Sequence, residues 1–212
     1  MTSTRGLLDE LDAAGLDKAL SEAGCLGLEV DSEAKRLELE LEVLSLPEQI
    51  SGISENGQEA GSSCRRVRLV FQGVTRIAAS LRMQRWDDLE PRVLPLDLPG
   101  LPAAVASFGG SRLHGWEFVD LDDSGWALWS ELLSFDTAID TGIARHVLEF
   151  SQEEGIDPRE LDIRVWFDTV TAQTTGGRPI ALPDLVSGSE RWWDAHDKGD
   201  PRATHPGIAP PL

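Results

Sequence analysis

The stretch Arg65-Arg-Val-Arg-Leu-Val-Phe-Gln-Gly-Val-Thr-Arg-Ile-Ala-Ala-Ser-Leu-Arg-Met83 decides the fold class. Val67, Leu69 and Phe71 fall on one face and Arg66, Arg68 and Gln72 on the other; beyond Gly73 the apolar set resumes with Ile77, Ala79, Leu81 and Met83. A period of two is that of a strand, whose successive side chains point to opposite sides of a sheet. The glycine in the middle makes the stretch either two short strands or one long strand bent at a bulge.

Working outward, residues 36–44 repeat the period, with Leu37, Leu39, Leu41 and Val43 alternating with Glu38, Glu40 and Glu42. One polar face is glutamate and the other arginine. Opposite charges across a strand pair stabilise it by about 0.2–1 kcal/mol each, so antiparallel pairing is expected to set these glutamates against Arg66 and Arg68 or Arg76. Residues 25–30 form a hairpin with 36–44 through a turn at 31–35. Downstream, 113–119, 126–133, 145–151 and 160–170 read as further strands. In the last, Leu161, Ile163, Val165 and Phe167 face inward and Asp162, Arg164, Trp166 and Asp168 outward.

Leucines at mostly helical spacing predict an amphipathic helix over 4–19; a helical turn or two over 103–108 and a short helix over 183–196 carrying Trp192 and Trp193 are also expected. Residues 45–63 are expected to form a long loop, 91–102 are proline-rich, and 199–212, with four prolines, is expected to lack fixed structure. The expectation is an α+β, mostly β fold: an antiparallel sheet of about seven or eight strands covered by one or two short helices. Residues 1–170 make a single β-rich domain and 171–212 an extension, a Trp-rich helix followed by a flexible tail.

The net charge of −18 is unevenly placed. Residues 65–112 carry 8 bases to 4 acids, whereas 113–170 carry 14 acids to 3 bases. Such a potential repels nucleic acid and anionic membrane and attracts a basic protein partner. No apolar run approaches the roughly 18 residues of a membrane span. Two cysteines make no disulfide framework and no apolar leader opens the chain, so a cytoplasmic protein with free thiols is expected.

Asp120-x-Asp122-x-Ser124-Gly125-x5-Glu131 matches the bare calcium-loop template. Its flanks read as strands where an EF-hand needs helices, so a hairpin turn without calcium is expected. His114, His146, His196 and His205 stand at no metal-ligand spacing with one another or with Cys25 and Cys64. Cys64, beside Arg65 and Arg66, has no histidine near it in sequence, and no nucleophile elbow, phosphate loop or dinucleotide fingerprint occurs. No catalytic residue, cofactor or metal is therefore assigned.

The run Val67-x-Leu-x-Phe-x-Gly-Val-x-x-Ile77, preceded by the Leu/Glu strand and followed by Gly115-Trp-Glu-Phe118, resembles the β-rich immunity-type proteins of bacterial toxin systems. The resemblance implies a cytoplasmic protein that neutralises a cognate toxin without catalysis. The expected function is thus non-catalytic binding of a basic partner, the alternative being a small-molecule-binding protein or an enzyme. The expected binding face holds Trp166 as anchor among Asp162 and Asp168, with Glu117, Asp122 and Asp123 around it.

Overall fold

A computed structural model, which describes residues 13–48, 63–119, 129–154 and 158–211, divides the 65–83 run between two sheets. In chain order the described elements are α1 (Ala13–Leu20), β1 (Gly24–Asp31), β2 (Arg36–Leu44), β3 (Cys64–Gln72), β4 (Arg76–Met83), β5 (Arg92–Val93) and α2 (Leu101–Ser107). There follow β6 (Leu113–Val119), β7 (Phe135–Ala138), β8 (His146–Glu153), β9 (Arg159–Phe167), β10 (Thr169–Thr174), β11 (Pro179–Ile180) and α3 (Leu182–Asp197). The chain is mostly β with helices at its margins, as the alternation predicts.

The first sheet runs β1-β2-β3-β10-β11 and the second β5-β4-β9-β8-β6, with β7 also paired to β4. All named pairings are antiparallel. Two long ribbons cross from one sheet to the other side by side: β3 passes to β4 at Gly73 while β9 passes to β10 at Asp168, and β3 pairs with β10 as β4 pairs with β9. At this corner the Asp168 amide donates to Gln72 O and the Thr75 amide to Trp166 O, both at 3.0 Å. Gly73 has φ +66°, and a Cβ there would stand 2.5 Å from an Asp168 carboxylate oxygen. Backbone conformation and space both demand glycine, which is why the alternation breaks where it does.

The inner faces meet in one core. Leu37, Leu39, Leu41, Val67, Leu69 and Phe71 come from the first sheet, and Ile77, Phe150, Leu161, Ile163, Val165 and Phe167 from the second. Phe71 and Phe167, one on each sheet, pack edge to face with centroids 5.0 Å apart. Each fully buried side chain of this size contributes about 1.5–3 kcal/mol, so the core outweighs any single surface interaction. Helix α2 packs on β1, and α1 lies against α3 and β6.

A smaller core forms where α3 docks on the chain leaving β2. Trp192, fully buried, joins Leu44, Leu46 and Ala203, and stacks on His196 at 5.1 Å. Leu46 N donates to Gly188 O at 3.0 Å, and Arg191 Nε donates to Leu46 O at the same distance. Residues 199–211, read from their prolines as lacking fixed structure, lie in turns on this core, with Ala203 buried and the Ala209 carbonyl 3.0 Å from His196 Nε2. The apolar positions that hold them are too few and too irregular to form a period.

Two further differences concern the outer side of the second sheet. Residues 129–132 form a helical turn and bend rather than the strand read over 126–133, and β7, which the sequence reading lacked, follows them. The template loop 120–125 lies outside the described residues.

Candidate functional site

The outward positions of β4, β9 and β8 line up by register. Ser80 stands beside Asp162 and Ser151, Ala78 beside Arg164 and Glu149, and Arg76 beside Trp166 and Val147. The segment 129–134 lies over the middle of this face. Ser80 Oγ donates to Leu132 O at 2.6 Å, Ser134 N to Ala79 O at 2.9 Å, and the Arg164 guanidinium sits 4.7 Å from the Trp129 ring centroid. A third layer therefore closes over charges that alternate outward from the core.

Beneath it Asp162 and Arg164 are only 6% and 5% exposed. Arg82 Nη2 donates to Asp162 Oδ2 at 2.5 Å and reaches Glu160 at 2.8 Å; Arg164 Nε donates to Glu149 Oε2 at 2.8 Å. Burial pushes the Asp162 carboxyl up to about 6; Arg82 opposes this, while Glu160 and Glu149 add to it. Each buried cation here has a carboxylate, which is the arrangement that makes buried charge tolerable. The layer reads as structural.

Asp162 is thus not offered to a partner, although the period of β9 does point it away from the core. Trp166 is partly buried, with the Arg76 guanidinium 4.6 Å from its ring centroid. Arg76 in turn grips Asp136, Nε donating to Oδ1 at 2.7 Å and Nη2 to Oδ2. Asp168 is partly buried at the corner beside Gly73, and Glu117 is exposed on β6, opposite Glu149 of β8. Asp122 and Asp123 lie outside the described residues. The expected binding residues are therefore spread over a covered middle, a corner and an edge strand.

The other end of the sheet carries what the sequence reading missed. Between β4 and β5 the chain makes a tight turn in which Asp88 N donates to Arg85 O and Arg85 N to Asp88 Oδ2, both at 3.0 Å, while Gln84 Nε2 donates to Asp88 O at 3.2 Å. The turn holds Trp86 and Leu89 in water, 94% and 99% exposed, among the exposed Asp87, Asp88 and Glu90. A tryptophan and a leucine in an acidic, proline-flanked turn with no period to bury them were the available signal.

Two histidines complete the inventory. His146 is buried against Phe167 with neither ring nitrogen hydrogen-bonded to a described residue, and burial and Arg145 push its pKa down while Asp168 opposes them. Glu42, Cys64 and His205, remote in sequence, bring their ligand atoms within 4.8 Å of one another and form the cluster among the described residues that could hold a metal. Among the described residues no helix is long and apolar enough to cross a membrane.

No protein-family profile matches the chain, and neither a curated protein nor a solved structure is significantly similar to it.

Proposed function

We propose that the chain is a non-catalytic protein-binding module that captures a basic partner on its acidic surface, anchored by the β4–β5 turn. The observation that carries this reading is the pair of Trp86 and Leu89, 94% and 99% exposed, on a turn already fixed by its own hydrogen bonds. Water strongly disfavours such apolar area, and an ordered turn loses little entropy when a partner covers it. Asp87, Asp88 and Glu90 form the polar rim, and the −18 net charge steers a basic surface toward them. The anchor thus moves from Trp166, engaged by Arg76, to Trp86. In the immunity-type reading the partner is a cationic toxin met in the cytoplasm.

The test is capture of cytoplasmic proteins, identified by mass spectrometry, on the immobilised chain and on its Trp86→Ala variant. Specifically retained proteins should be basic, and retention should fall steeply between 50 and 500 mM salt, an order-of-magnitude window set by screening. Trp86→Ala should weaken binding by about 2 kcal/mol or more while leaving the melting temperature in place, because the side chain touches no core. Equal retention of the same proteins by both chains would refute the assignment.

A further inference from the structure

We propose that Glu42, Cys64 and His205 form a zinc site that ties the carboxy-terminal tail to the first sheet. Their carboxylate, thiol and imidazole ligand atoms all lie within 4.8 Å of one another, and all three residues are partly buried. The register places Glu42 opposite Arg66 and Leu44 opposite Cys64, so Glu42 and Cys64 are diagonal neighbours on the outward face of β2 and β3. His205 arrives from the tail, whose position depends on the small core around Trp192 and Ala203 and on Ser63 Oγ, which donates to Thr204 O at 3.1 Å. The three donors are thus brought together by packing that needs no metal.

The donor set selects the ion. Thiolate and imidazole favour zinc over calcium or magnesium, and three protein ligands leave a fourth tetrahedral position for water. Burial, the largest cause, and Glu42 push the Cys64 thiol up, while Ser63 and Arg112 oppose the rise. A dication placed between the two groups removes that penalty and expels the thiol proton.

Arg112 is the competing cation. Its Nη2 stands 2.5 Å from His205 Nδ1, where the Gly207 amide also donates at 3.3 Å, and its Nη1 reaches Glu22 at 3.2 Å. Binding requires the guanidinium to give up the imidazole and keep Glu22. The thiolate and Glu42 supply two negative charges to balance the ion.

The experiment uses reduced, chelator-treated full-length protein titrated with zinc in excess magnesium, which blocks surface carboxylates, and in parallel with cobalt. The expected results are a single tight equivalent of zinc, proton release on binding, and a thiolate-to-cobalt charge-transfer band. Cys64→Ser should abolish the band, and both Cys64→Ser and His205→Gln should weaken zinc binding at least about tenfold. Cys25→Ser, which removes the buried thiol of β1, should leave the band intact. Zinc binding undiminished in Cys64→Ser, or no charge-transfer band in the unmodified chain, would overturn the site. Absence of the band from the unmodified chain overturns the site even if a variant fails to fold.

Discussion

The outward faces of the two sheets obey the same sequence rule and meet different fates. On the first sheet, Glu38, Glu42, Arg66 and Arg68 alternate away from the core and stand at the water boundary, with the Arg66 side chain 63% exposed. On the second, Ser80, Arg82, Asp162 and Arg164 also alternate away from the core, yet segment 129–134 covers them and the Arg164 side chain is 7% exposed. Alternation tells which residues leave the core; it does not tell whether water waits on the other side. Charges with the same spacing are therefore surface ion pairs in one sheet and a buried network in the other.

The largest expected effect follows from removing one partner of the buried network. Arg82→Met keeps most of the side-chain volume but leaves Asp162 without its nearest cation. An unpaired buried charge costs about 3–5 kcal/mol, and we expect the lower figure because Glu160 can turn to water and Asp162 can take a proton. Urea unfolding at neutral pH checks the size. A loss below about 1 kcal/mol, the range of a surface pair, would break the comparison.

Asp162 also gives the network a pH signature. Its carboxyl is raised from 3.8 to about 6 in the folded chain, so between those values the native state holds a proton that the unfolded state has released. Below pH 4 both states are protonated and the group contributes nothing. As pH rises toward 6 stability falls, and above 6 the full penalty remains. At about 1.4 kcal/mol per pKa unit the penalty is about 3 kcal/mol. Carboxylates held low, such as Glu154 beside Arg159, slope the other way, so the quantity to measure is the difference between the native sequence and Asp162→Asn. That difference should grow as pH is lowered from 6 to 4, with the native sequence gaining; a flat difference curve would mean that Asp162 is solvated.

These two tests mark the limit of what the sequence made legible. Periods of two placed β2, β3, β4, β8 and β9, and opposed charge predicted that β2 and β3 pair. The corner was half legible, since Gly73 announced a break while Asp168 looked like one more outward residue of a single strand. The covering segment was not legible, because Trp126, Leu128 and Leu132 fall at even positions that suit a strand, whereas Trp129 and Leu132 stand three residues apart. Their true partner is a sheet face assembled from β4, β8 and β9. Nor could spacing find Glu42, Cys64 and His205, which only the docking of the tail brings together. Trp86 was legible in principle: Gln84 and Asp88 stand on either side of it at strand spacing, so no period of two buries it, and Asp87, Asp88 and Glu90 follow it closely.

The smallest effect belongs to the first sheet and completes the comparison. Arg68 Nε lies 3.3 Å from Glu38 Oε2, but Glu38 also holds Arg36 at 2.5 Å, and the Arg68 side chain is 33% exposed. Replacing Arg68 thus strands no charge. Val70, opposite Glu38 on the same outward face and buried, shows that long side chains here also shield apolar surface. For that reason Arg68→Met, which keeps an apolar stem, isolates the charge better than alanine does. A double-mutant cycle of Arg68→Met with Glu38→Gln should give a coupling of about 0.2–1 kcal/mol at low salt, fading as ionic strength approaches about 1 M. The same cycle on Arg82 and Asp162 should be larger and nearly indifferent to salt, because the layer over it admits little screening. If both pairs faded alike, the third layer would not be excluding water.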